Sequence, residues 1–219
     1  WPKDKIGYDW NFTPIEQAAA NGHEEIIELL VRYGAKKLSE KDVIQLRFIE
    51  TAKFGTISEL KDLIKKGADV NTRNQNEETA LINAIKFFRD YAIYIKVMYL
   101  LDLGADVNLK GRGLFGITTP LHQAIWSSKF LFKYNKDTID AEIILQELIK
   151  KGAFVSAQNK YGETPLHIAA KYNHLYAARL LLESGAKVMP KDNEGKTPLD
   201  YAESAEMIRL LKEHGAKEQ

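Results

Sequence analysis

The stretch Asn159-Lys160-Tyr161-Gly162-Glu163-Thr164-Pro165-Leu166-His167-Ile168-Ala169-Ala170, continued through Leu180-Leu181-Leu182 to Gly185-Ala186, decides how this chain is read. Thr164 is a helix-capping residue, and Pro165 follows at the first helical position, where a missing amide costs nothing. The small pair Ala169-Ala170 lets a neighbouring helix approach closely. The leucine run then marks a second helix that stops at Gly185, a residue suited to a left-handed C-terminal cap. Ahead of the first helix, Asn159 to Gly162 has the composition of a tight turn.

Working outward, the same signals recur. A Gly-Ala pair stands at Gly34-Ala35, Gly67-Ala68, Gly104-Ala105, Gly152-Ala153, Gly185-Ala186 and Gly215-Ala216, in steps of 33, 37, 48, 33 and 30 residues. That is one period of about 33 with two insertions and a short deletion. Thr-Pro opens a helix at Thr13-Pro14, Thr119-Pro120, Thr164-Pro165 and Thr197-Pro198, and each Gly-Ala follows an apolar run such as Leu60, Leu63 and Ile64. Asp69-Val70-Asn71 and Asp106-Val107-Asn108 read as links between units. The expected domain is residues 1–219, with units near 8–35, 36–68, 69–105, 106–153, 154–186 and 187–217, the first and last acting as caps.

One helix pair of this size buries too little apolar surface to offset its ordering entropy, so neighbours must stack into a continuous core. The ends then need polar or aromatic covers. Glu203 and Lys212 stand where earlier units have small or apolar residues, which marks a C-terminal end of the stack, while Trp1, Trp10 and Phe12 are expected to cover the first unit.

In this order and spacing the motifs resemble the ankyrin repeat family over residues 8–217. The resemblance implies an all-α solenoid of stacked helix-turn-helix units with β-hairpin fingers, and a concave surface that binds protein partners.

The departures from the pattern are local. The second unit has Leu46-Arg47-Phe48 in place of Thr-Pro-Leu and no glycine finger, and Ser39 with Glu40 and Asp42 predicts a longer capped helix there. The third unit adds four residues around Phe87 to Tyr91, which predicts a longer first helix. The fourth has three extra residues in the finger Gly111 to Thr118 and twelve between its helices, Ser127 to Asp140, carrying Phe130, Phe132 and Tyr134. That insertion reads either as a longer helix pair with its aromatics folded back, or as a protruding partner contact.

Composition removes several function classes. Thirty-one Lys and Arg against 30 Asp and Glu give a formal charge of +1, with no bulk drive toward nucleic acid or anionic membrane. The absence of cysteine removes disulfides, cysteine nucleophiles and thiolate metal sites. No stretch is long and apolar enough for a membrane helix. The chain opens on Trp1 rather than Met, which is expected where a leader or upstream domain precedes it. Gly111 to Gly116 matches G-x-G-x-x-G, but a dinucleotide fingerprint follows a buried parallel strand, and here the surroundings are helical. The five histidines, His23, His122, His167, His174 and His214, have no metal or catalytic spacing, and those of Thr-Pro-Leu-His are expected to bond backbone in the adjoining turn. No cofactor, metal or catalytic residue is expected.

The remaining signal lies on the concave surface that the resemblance implies. Lys53-Phe54, Lys86-Phe87, Trp126-Ser127 and Lys171-Tyr172 follow the small residues of successive first helices as a stripe of aromatics and lysines, and the finger tips Leu114-Phe115 and Lys160-Tyr161 extend it. Rings supply buried area and cations select acidic neighbours at recognition surfaces. The expected partner-binding residues are therefore Phe54, Lys86, Phe87, Leu114, Phe115, Trp126, Lys160, Tyr161, Lys171 and Tyr172. Single-stranded nucleic acid also favours such stripes, but 7 Arg against 24 Lys and the near-zero charge disfavour it. The chain reads as a monomeric, non-enzymatic protein-interaction module with no small-molecule substrate and no membrane insertion. The alternative is a regulatory or substrate-recruiting segment of a larger enzyme, such as a secreted bacterial effector. The Lys-over-Arg bias leans toward a bacterial source, and the compartment stays open.

Overall fold

The structure, a computed structural model, describes residues 12–86, 91–113, 116–134 and 138–217. Helices come in pairs: α1 (Pro14–Ala20) with α2 (Glu24–Arg32), α3 (Glu40–Phe54) with α4 (Ile57–Lys65), α5 (Ala80–Lys86) with α6 (Tyr91–Asp102), α7 (Pro120–Tyr134) with α8 (Thr138–Lys150), and α9 (Pro165–Lys171) with α10 (Leu175–Glu183). A 3₁₀ turn, Pro198–Tyr201, and α11 (Ala205–Glu213) complete the series. First helices pack in one layer, α1 on α3, α3 on α5, α5 on α7, α7 on α9 and α9 on the 3₁₀ turn; α4, α6, α8, α10 and α11 form the second layer. Among the described residues the only sheet is a hairpin, β1 (Gly111–Gly113) antiparallel to β2 (Gly116–Thr118), so the other fingers are tight turns rather than hairpins of paired strands.

The capping chemistry read from the sequence is what starts and stops these helices. Thr13 and Glu16 exchange hydrogen bonds across the first turn of α1, with Thr13 N–H donating to Glu16 Oε2 at 2.8 Å. Each Gly-Ala closes its helix in the same manner: Ala186 N–H donates to Leu181 O (2.9 Å) and Gly185 N–H to Leu182 O (3.0 Å), with Gly185 at φ +82°.

Stacking buries one core running from Phe48 to Ala216, including Leu60, Leu100, Ile144, Leu166 and Leu211. A smaller cluster of Ala19, Ala20 and Leu46 joins the first two units, with Phe12 packed against it. Trp1 and Trp10 lie outside the described residues. Glu203 and Lys212 are exposed.

The links do more than turn the chain. Asn71 donates from Nδ2 to Gly104 O (3.2 Å) and accepts from Asp106 N–H (2.7 Å), and Asn108 repeats this with Gly152 and Phe154 one unit on. The second unit has no such link before it, and Gln45 of α3 takes over, accepting from Asp69 N–H at 3.0 Å. Fingers also bond to one another: Arg112 N–H donates to Glu77 O, Lys160 N–H to Ile117 O and Asn193 N–H to Tyr161 O (2.7, 3.3 and 3.0 Å). Gly162 sits at φ +76°, and a Cβ there would lie 2.7 Å from the Asn193 backbone nitrogen. Gly162→Ala is therefore expected to cost about 2 kcal/mol, through backbone strain and loss of the bond between fingers, read as a lower midpoint in urea unfolding.

The departures resolve as follows. Ser39 caps the fifteen-residue α3, its Oγ accepting from Asp42 N–H at 3.1 Å, as expected. In the third unit α5 has seven described residues and α6 has twelve against nine in α10; the expected lengthening of the first helix falls on residues 87–90, which lie outside the described set. In the fourth unit the insertion lengthens the helices, α7 to fifteen residues and α8 to thirteen. This matches the longer helix pair, while the side chains of Phe130, Phe132 and Tyr134 lie outside the description.

Candidate functional site

The first helices of units four and five and the fingers of units five and six enclose a groove of about 420 Å³. Trp126 of α7, Tyr172 at the C-terminal cap of α9, Tyr161 of the fifth finger and Tyr201 of the 3₁₀ turn supply its aromatic lining. Trp126 and Tyr172 are half-buried and packed on the core, which sets their rings in place, whereas Tyr161 is 47% exposed. Lys171, Glu163 and Asp192 line the same groove.

These polar groups are matched within the chain. Lys171 Nζ lies 3.3 Å from Glu163 Oε1, and Asn159 Nδ2 donates to the other oxygen of that carboxylate at 2.9 Å. The Lys171 ammonium also stands 5.3 Å from the centroid of the Tyr201 ring. Tyr201 Oη donates to Asp192 Oδ2 at 2.6 Å, which raises the phenol well above its ordinary range. Burial pushes the Asp192 carboxyl up, but the Tyr201 hydroxyl and the Lys196 and Glu194 amides outweigh it and hold the group below the usual carboxylate range. The Lys160 ammonium lies 4.7 Å from the Tyr161 ring centroid at the groove's edge.

Of the residues expected from the sequence, the structure therefore brings Trp126, Tyr161, Lys171 and Tyr172 together, with Lys160 beside them. Phe54 is 68% exposed at the end of α3, away from the groove, with the Lys53 ammonium 4.7 Å from its ring centroid. Lys86 forms an ion pair with Glu78 at 3.6 Å, both side chains 7% exposed, and burial, partly offset by Glu78, lowers the Lys86 pKa. Phe87, Leu114 and Phe115 lie outside the described residues.

Three lysines of the stripe are matched within the chain. Lys53, Lys86 and Lys171 each face an acid of the same chain, Glu50, Glu78 and Glu163, so they brace helix to finger or turn to turn instead of presenting unmatched charge. Glu163, Asp192 and Tyr201 were not singled out in the sequence. A signal for two of the pairs is legible there: Asn74, Glu78 and Lys86 recur as Asn159, Glu163 and Lys171 at identical spacing.

Two histidines tie units together. His122 accepts at Nδ1 from the Thr119 hydroxyl (2.7 Å) and donates from Nε2 to Glu163 O in the next finger (3.0 Å). His167 repeats this with Thr164 and Lys196 O (3.1 Å). Burial pushes the His122 pKa down to about 4 and lowers that of His167, so both act as neutral bridges. A third, His174, faces Ser128 at 2.7 Å, a geometry reminiscent of a nucleophile and its base. Its tautomer is wrong for that chemistry. Nδ1 accepts from Ala177 N–H, so Nε2 carries the proton and donates to Ser128 Oγ, which in turn donates to Ile125 O (2.8 Å). Burial and the nearby Lys129 hold His174 down to about 4. Among the described residues no three His, Cys, Asp or Glu side chains converge as a metal site would require, and no helix is long and apolar enough to cross a membrane.

Comparison with known proteins gives the relationship. The family profile described as ankyrin repeats (three copies) matches residues 138–219, and that for a single ankyrin repeat matches residues 10–42. The mitochondrial disaggregase of Bos taurus is 30% identical over 191 residues, covering 87% of this chain and 25% of that protein. Neurogenic locus notch homolog protein 1 of Homo sapiens is 40% identical over 103 residues, 46% of this chain and 4% of its own. The chain thus spans a quarter or less of these two relatives. A putative ankyrin repeat protein of fowlpox virus is 31% identical over 166 residues, 68% of this chain and 86% of its own length. With stacked helix pairs closed by recurring Gly-Ala caps, and with an ankyrin repeat relative 31% identical over 86% of its own length, this chain belongs to the ankyrin repeat family.

Proposed function

We propose that the chain is a non-enzymatic, monomeric interaction module that holds a partner protein in the groove between units four and six. Ankyrin repeats are in general protein-interaction modules, which supports the class of function. The observation that carries the site is the convergence of Trp126, Tyr161 and Tyr172 in one groove, two of them held by core packing. Rings fixed before the partner arrives spare the ordering cost that a flexible binder meets. Because the charges inside the groove are already paired, the partner segment that fits it is apolar or aromatic, with hydrogen-bonding groups at its edges.

Trp126→Ala and Tyr172→Ala are each expected to weaken partner binding by about 1–3 kcal/mol. The partner is first captured by affinity purification from the native organism and then titrated by calorimetry, with thermal unfolding confirming that each variant stays folded. Undiminished affinity in both variants would remove the groove from consideration.

A second reading, a regulatory or substrate-recruiting segment of a longer enzyme, draws on the alignment to a quarter of a disaggregase. Mass spectrometry of the native protein separates the two: additional tryptic peptides from a folded domain outside the repeats favour the second.

A further inference from the structure

The second unit lacks a finger. Only residues 35–39 connect Gly34 to α3, against residues 153–164 between Gly152 and α9. The missing turn leaves a gap of about 690 Å³ between the start of α1 and the third finger. Its floor is apolar, formed by Ile15, Leu46 and Ile49, and its wall is cationic, with Lys36, Lys37, Lys41 and Arg73 all exposed.

Two features of this gap point to an occupant. The first is charge. Elsewhere on this surface Lys53, Lys86 and Lys171 face acids of the same chain, but these four cations form no ion pair among the described residues. The two acids at the gap are engaged: Asp42 accepts from the Ser39 hydroxyl at 2.6 Å, and Glu16 accepts from Thr13 and from the Gln75 side chain. The second is the backbone. In the fifth and sixth fingers Lys160 and Asn193 donate their amides to the finger before them. Gln75 occupies the corresponding place in the third finger, and its amide makes no such bond among the described residues, because the finger that would accept it is missing.

We propose that this gap receives an extended acidic segment of a partner protein, which stands in for the missing finger. One of its carbonyls accepts from Gln75 N–H, and its carboxylates meet Lys36, Lys37, Lys41 and Arg73. The mode is addition of a backbone edge, with charge supplying selectivity. It is independent of the aromatic groove between units four and six.

The test uses fluorescence anisotropy with a rhodamine-labelled decapeptide of alternating Glu and Thr, its Gln-for-Glu analogue, and a ten-nucleotide oligothymidylate. The Glu peptide is expected to bind at least about tenfold more tightly than the Gln analogue, and to lose about tenfold in Lys37→Glu/Arg73→Glu and less in Lys37→Gln/Arg73→Gln. Tyr172→Ala and the distant Lys65→Glu/Lys150→Glu leave it unchanged, and the Gln75 amide gains protection from hydrogen exchange. No binding by the Glu peptide, equal binding by the Gln analogue, or an equal loss in Lys65→Glu/Lys150→Glu overturns the proposal. So does a Gln75 amide that stays unprotected, or oligothymidylate binding as tightly as the peptide, since either means that charge alone draws the ligand. Loss in Tyr172→Ala would assign the peptide to the other groove and overturn it equally.

Discussion

Between pH 6.5 and pH 4 the unfolding free energy of this protein should fall steeply, by about 1.4 kcal/mol per pH unit for each buried neutral histidine. His122 and His174 are held at about 4, chiefly by burial, and His167 is lowered by the same cause. The folded-state pKa lies below that of the unfolded chain, so the unfolded state takes up protons first as the pH drops. Stability is fully present above about pH 6.5 and is lost as the pH falls toward the folded-state value, about 3 kcal/mol for each of His122 and His174. The carboxyls of Asp192 and Asp200, also lowered, add their loss in the more acidic range where an unfolded aspartate protonates. Urea unfolding followed by far-UV circular dichroism at half-unit steps from pH 7.5 to 4.5 measures this directly. A flat profile between pH 7 and 5 would show that these imidazoles are not buried as neutral bridges.

His122→Ala is expected to cost about 3 kcal/mol at neutral pH. The imidazole is 3% exposed, and truncating it leaves both a cavity and two polar groups, the Thr119 hydroxyl and the Glu163 carbonyl, without their partner. The position of the loss matters more than its size. In a solenoid stability resides in each unit and in its interfaces with immediate neighbours, so weakening the junction of units four and five loosens the C-terminal pair from the rest. Hydrogen exchange should then show α9 and α10 opening at lower free energy than α5 and α6, where the wild type opens more cooperatively. The same variant should lose one histidine's share of the acid-dependent slope. Uniform exchange across the chain with unchanged stability would mean that helix packing alone couples the units.

Much of the fold was legible because its signals are local. Thr-Pro sets a helix start and Gly-Ala sets a stop within a few residues, through caps that need no distant partner: the Thr13 and Glu16 exchange and the left-handed Gly185 are complete within one turn of chain. The apolar positions read from those boundaries, such as Leu60, Leu100 and Leu181, are buried. The site was legible only in part. Trp126 and Tyr172 were visible as unusual residues at repeated positions, but nothing in one unit says that Tyr201 and Asp192 of the next unit complete their groove. The pairing of the lysines was hidden for the same reason, since a cation is free or paired according to what the neighbouring turn places beside it.

By itself, then, the sequence determined the period, the helix boundaries, the buried stripe and the absence of a finger in the second unit, all of which follow from backbone preference and apolar spacing along a few tens of residues. Only the tertiary structure decided which aromatics share a groove, which lysines are neutralised by Glu50, Glu78 and Glu163, and that Lys36, Lys37, Lys41 and Arg73 gather around an open gap. Those outcomes depend on how one unit sits against the next, a geometry set by side-chain packing between segments distant in the chain.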